Sequence, residues 1–484
     1  MKRFLKSNKW ILYTVFEVIL LIVSVFYRAD FGVILAISVW AAIMVKLASK
    51  LYNNIEILAF FISFFVFLIG GQVAITYLGY TDYGVIFPQS IENHTNFVLL
   101  ISMICIMLGY YFVKNLHKEN YIYRLIDVKQ KQISRSYNSL RQVSKCVFYI
   151  ALACSTLMLL EKILFFRTSG DYYATYSEYK SSMPYIIKTI DNFMPLSLYI
   201  FLGTRPRKKE AMFPICVYLI YLAGSLLTGR RIFIVTGLMM IAIYMIINDH
   251  ETDDKWITKR LLMGVYVLVP LFVVFLTVYG ELRVNKSNHD FNIFNLFSKF
   301  IGSQGFTINV IKYGKEDAVE LGTDKFYSFY NTLRFLRTSP LTRWFMSDYN
   351  FTYGEYTIEN AVNGNSFANS ITYLNSPYTF LKGGGYGSCY IAELFHDFGY
   401  MGVIFGNLFI GVLFGEMSRF RNHGVFTMAL SFLFLDSMLK VPRYNFDYPI
   451  AELSIVFNWI YMFMVFIIAR YLKTSKRISV KIRI

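Results

Sequence analysis

Charge is scarce in this 484-residue chain: Asp, Glu, Lys and Arg together make 16% of it, against about a quarter in soluble domains. Cysteine is sparse and odd in number, at five (Cys105, Cys146, Cys154, Cys216 and Cys389). Four of these lie in or beside apolar runs and none is spaced with histidine as a zinc site requires, so neither a disulfide framework nor a zinc centre is implied. The nucleophile elbow GxSxG, the zinc motif HExxH and the P-loop are all missing, which removes the common soluble-enzyme signatures. No DxD occurs either, which counts against a metal-dependent transferase using nucleotide sugars; no metal and no cofactor are expected. Few ionisable groups sit inside the apolar runs, chiefly Glu17, Glu161 and Lys162, and no internal repeat is visible. Ion-coupled transporters keep such groups near the midplane and are commonly built from repeats, so both absences argue against one.

Apolar sequence is what the chain has in excess. Hydrophobic residues make 56% and aromatics 18%, and they fall in runs long enough to cross a bilayer. The runs lie at 10–27, 31–46, 55–77, 96–113, 146–166, 185–204, 212–228, 232–248, 261–279, 398–416, 424–439 and 450–469. An all-α polytopic membrane protein with about twelve spans follows, the second and sixth runs being the weakest. The net charge of +17 is read through the positive-inside rule rather than as a nucleic-acid footprint. With the N-terminus inside, the cytoplasmic segments hold 29 Lys or Arg and the short outer loops eight. Both termini are therefore expected in the cytoplasm. The leading MKRFLKSNK with its apolar run has no small-residue cleavage site and reads as a retained first span. Residues 1–279 would carry nine spans, 280–389 a large extracytoplasmic loop of about 110 residues, and 390–484 three more spans with a basic tail.

The outer face so defined gathers candidate chemistry. Gly229, Arg230 and Arg231 form a tight polar break between two apolar runs; Arg283 follows the ninth run and Arg443 the eleventh. Arginine's planar fork suits bidentate contact with phosphate oxygens, though arginines at span ends also serve as anchors. Glu393, His396 and Asp397 share one helical face at i, i+3 and i+4. They suit general-base work on a hydroxyl, and equally a capped helix start. Within the long loop, FYSFYNTLRFLRTSPLTRWF (326–345) mixes aromatics with Arg334, Arg337 and Arg343. It fits a segment in the headgroup plane or a helix over the membrane domain with its basic face in water. The acidic run NDHETDD (248–254) reads as a solvated turn.

The stretch GGGYGSCYIAELFHDFGYMGVIFGNLFIGVLFG (383–415) resembles a segment of the polymerases of O-antigen and capsular polysaccharide repeat units: a Gly/Ser turn, an AELYxDFG element and a Gly-rich span. TGRR at 228–231 and the long late outer loop are similar to that group as well. The resemblance implies a GT-C-like, multi-span, metal-independent glycosyltransferase at the outer face of the bacterial cytoplasmic membrane. It would join lipid-linked repeat units, with undecaprenyl pyrophosphate as leaving group. Donor and acceptor would both be undecaprenyl-pyrophosphate-linked oligosaccharides, and a chain-length regulator would be a further partner. Arg230, Arg231, Arg283 and Arg443 are then the expected pyrophosphate ligands, and Glu393, His396 and Asp397 the expected catalytic trio. An O-antigen ligase-like transferase, a flippase of lipid-linked oligosaccharide and a membrane scaffold are the alternatives.

Overall fold

The computed structural model describes residues 2–81, 85–116, 137–169, 178–229, 231–283, 292–338 and 356–481. Every regular element among them is helical, with no strand. Among the described residues nine helices are long and apolar enough to cross a membrane, and two shorter apolar stretches, Tyr13–Phe26 and Val456–Leu472, accompany them. The sixth apolar run is the helix Tyr185–Gly203, which carries Pro195 and is not one of the nine. Lys188, whose charge made this run weak, donates to the carbonyl of Ser181 at 2.8 Å.

The chain divides into two compact units: residues 1–114, 259–415 and 438–448 form one, and 115–258, 416–437 and 449–484 the other. The first is built around Leu51–Leu78 and Gln89–Leu116, packed with the first part of Tyr390–Phe420. Phe60, Phe61 and Phe64 are fully buried there, and Phe60 meets the Phe414 ring at 5.1 Å. The crossing is close because both helices bring glycine to it: a methyl on Gly109 would collide with the backbone at Leu408, and one on Gly411 with the backbone at Ile106. Small residues are how helices approach where no hydrophobic effect drives them together. A polar relay crosses the same pair, Tyr390 Oη to Asn407 Oδ1 at 2.7 Å and Asn407 Nδ2 to Ser102 Oγ at 3.0 Å.

Two breaks shape this unit. Phe65–Ile69 winds as a π-turn inside Leu51–Leu78, a feature frequent at functional sites. Gly399 breaks Tyr390–Phe420 with φ 64° and ψ −153°, a backbone region essentially closed to residues with a Cβ. The helices Ile293–Gly305 and Thr307–Glu316, in the long segment after the ninth run, pack into this core. Gly305 lies against the backbone of Gly71, and Ser298 donates to the Leu78 carbonyl at 3.0 Å.

The second unit pairs Asn138–Ser169 with Tyr185–Gly203 and Lys208–Ser225 with Arg231–Glu251, Val456–Lys481 lying on the first pair. Its acidic run 248–254 departs from the solvated turn expected of it. Glu251 is buried at 2% exposure, paired with Arg205 and, at 3.7 Å, with Arg421. Asp249 accepts from the Ile257 amide and Asp254 from the Lys208 amide. Sequence separation hid the triad, because its cations lie 46 residues before and 170 after the acid.

Candidate functional site

Three short segments of the first unit come together around one carboxylate. Glu393, in the first turn of Tyr390–Phe420, is fully buried. Its Oε1 accepts from Ser388 Oγ at 2.5 Å and Asn445 Nδ2 at 2.6 Å, and its Oε2 accepts from the Phe446 amide at 2.9 Å. Burying an ionisable carboxyl is tolerable when such donors replace water. The bonds tie the glycine-rich turn 383–388 to the turn 441–446, whose first residues wind as the 3-10 turn Val441–Arg443.

Arg443 sits at the junction of these segments. Its Nη1 donates to Gln304 Oε1 at 3.2 Å, and its guanidinium lies 5.8 Å from the centre of the Phe67 ring, within the π-turn. Gly387 abuts it, with φ +81°, so the turn can pass close beside the side chain. Arg443 is only half-buried, and among the described residues no carboxylate pairs with it. Lys312 in the same unit, by contrast, is neutralised by Glu92 at 2.5 Å. A guanidinium held on one edge by Gln304 and on its face by Phe67 leaves most of its N–H fork for an anion.

The other expected acids are heavily engaged. Asp397 accepts from the Tyr327 amide at 3.1 and 3.0 Å and the Ser328 amide at 2.8 Å. His396 Nδ1 lies 3.0 Å from Asp397 Oδ1, and its ring is edge-on to Tyr327 at 4.8 Å. Asp447, fully buried, accepts from Asn331 Nδ2 at 2.8 Å and the Thr332 amide at 2.7 Å, at the open N-terminus of Tyr330–Thr338. Cys389 is buried beside them, and burial pushes its thiol up to about 12, so it remains protonated and inert.

In the second unit the TGRR turn is a helix end. Gly229 closes Leu226–Thr228 at φ 80°, and Arg231 opens Arg231–Glu251, half-buried. Arg230 lies outside the described residues, as do Arg343 and the side chains of Arg283 and Arg337. Among the described residues no group of three or more His, Cys, Asp or Glu is arranged to hold a metal ion.

A family model, O-antigen polysaccharide polymerase Wzy, matches residues 9–476. The chain belongs to that family. No curated protein and no solved structure matches it significantly. Membership makes this a multi-pass membrane protein with glycosyltransferase-like polymerase activity on lipid-linked oligosaccharide repeat units. Within this Wzy chain, sequence reasoning singled out Arg443 and Glu393 but missed Phe67 and Gln304, which brace the first, Asn445, which holds the second, and Asp447, which holds Asn331 and Thr332. The polar turn VPRYNFDYP between two apolar runs carried the signal for Asn445 and Asp447. Nothing in the apolar run around Phe67 pointed to it.

Proposed function

We propose that this Wzy chain joins undecaprenyl-pyrophosphate-linked repeat units at the outer face of the cytoplasmic membrane, and that Arg443 receives the pyrophosphate as it leaves. A sugar hydroxyl of the acceptor attacks C1 of the donor glycan and gives up its proton to solvent water, while the C1–O bond to the pyrophosphate breaks. The charge gathers on the departing phosphate oxygens. A preorganised guanidinium opposite that charge lowers the barrier without reorganising at the moment of reaction. The observation that carries this reading is the half-buried Arg443 fork, which has no carboxylate partner among the described residues and is braced by Gln304 and Phe67. Glu393 and Asp397 enter as positioning residues, since backbone amides and side chains already occupy their oxygens. Arg230, Arg231 and Arg283 remain candidate phosphate ligands on the sequence argument.

The test is Arg443→Lys, which keeps the charge and loses the fork. At normal membrane levels, long-chain polysaccharide should fall by about 100- to 1000-fold in rate, the range for removing one oxyanion donor. Polymer at wild-type rate from both Arg443→Lys and Arg443→Ala would remove Arg443 from the reaction. The same lysine substitutions at 230, 231 and 283 sort fork-dependent arginines from anchors, which lysine serves equally well.

A further inference from the structure

We propose that the segment Phe326–Leu336 is immersed in lipid at the membrane surface, held there by a two-carboxylate clasp formed by Asp397 and Asp447. Such a segment has two ordinary fates: its apolar residues pack onto the protein, or they face lipid. Phe326, Phe329, Phe335 and Leu336 are each more than a third exposed even where Phe326 and Phe329 touch Phe398 and Phe446, so the first fate accounts for only part of their surface. Looseness does not explain the exposure either. Asp397 holds the amides of Tyr327 and Ser328, and Asp447 holds Asn331 and the Thr332 amide, so the backbone from 327 to 332 is fixed at both ends and Phe335 and Leu336 follow in the helix it starts. Four large apolar side chains left exposed on so short a segment make a patch that a watery surface avoids.

The patch continues into a lipid-facing stripe. Phe326 and Phe329 meet the ring of Phe398 at 6.0 and 6.3 Å. Below the break at Gly399, Met401, Phe405 and Phe409 follow at i, i+4 and i+8 on a membrane-crossing helix, all at least half exposed. At 100° per residue, Leu333 and Leu336 fall on the same arc as Phe329, while Tyr330 and Arg334 lie off it on one side and Phe335 on the other. Arg334 is exposed and reaches Tyr330 Oη at 3.4 Å. An apolar arc continuous with a transmembrane stripe, with a cation off that arc, is the pattern of an interfacial segment whose occupant is bilayer acyl chains.

Nitroxides at Phe335→Cys and Leu336→Cys, in the full chain with its five cysteines replaced and reconstituted in nanodiscs, test this. Phe405→Cys supplies the lipid-facing control and Asp324→Cys the aqueous one. Both segment sites should collide with oxygen more than with a water-soluble nickel chelate, as the Phe405 site does. Nickel-dominated accessibility at both, like that of the Asp324 site, would overturn the immersion. Adding Asp397→Asn and Asp447→Asn should raise nitroxide mobility several-fold and shift both sites toward nickel. Unchanged mobility and depth would overturn the clasp.

Discussion

Asp397 and Gly399 are two residues apart and do opposite things to the backbone. The carboxylate of Asp397 gathers two amides from a segment 70 residues earlier, while Gly399 lets the helix turn through a conformation that a Cβ would forbid. Asp397→Asn replaces charge-assisted acceptors by one amide oxygen and should cost about 1.5–3 kcal/mol, the usual worth of bonds to an ionised group. A lower thermal unfolding midpoint in detergent, with new trypsin cleavage at Lys325 or Arg334, is the expected outcome. Gly399→Ala should cost about 1–3 kcal/mol by backbone strain, read by the same melt, with no new cleavage in 325–338. The i, i+3, i+4 spacing of Glu393, His396 and Asp397 was legible in the sequence because helical periodicity is local. Their partners were not, since Tyr327, Asn445 and Phe446 meet them only once the fold exists.

At the scale of elements, the apolar runs announced their helices and little about how those helices meet. The run 399–415 is rich in glycine, yet its counterpart in Gln89–Leu116 is a single glycine, Gly109, in an otherwise ordinary apolar stretch. The π-turn Phe65–Ile69 is written in residues that would serve equally in a regular helix, and tertiary packing selects the extra residue. Phe67, which lies beneath Arg443, is placed by that turn. The crossing of Gly109 with Gly411 should therefore be the least forgiving contact between these helices. Gly411→Val drives a branched side chain into the backbone at Ile106 and should cost about 1–3 kcal/mol or more by overpacking. Less folded protein at the membrane and a lower melting point are expected. A surface-facing change on the same helix, Phe405→Val, should leave both near wild type.

For the whole molecule, the distribution of positive charge is the one long-range expectation a local reading of sequence offers, because the membrane sorts charge before any tertiary contact forms. Part of that charge then acquires structural work. Arg205 and Arg421, which count toward the cytoplasmic bias, close on Glu251. Breaking such a buried pair leaves an uncompensated charge, so these cations are tied to the fold whatever the orientation. Exposed Lys209, in the basic segment 205–211, and exposed Glu320, in the long segment after the ninth run, therefore make clean reporters of sidedness. In a background lacking the native cysteines, Glu320→Cys should react with an impermeant maleimide in cells whose outer barrier is opened. Lys209→Cys should react only after the cytoplasmic membrane is breached. Labelling of Lys209→Cys but not Glu320→Cys in intact membranes would invert the orientation and carry Arg443 away from the face where the proposed transfer takes place.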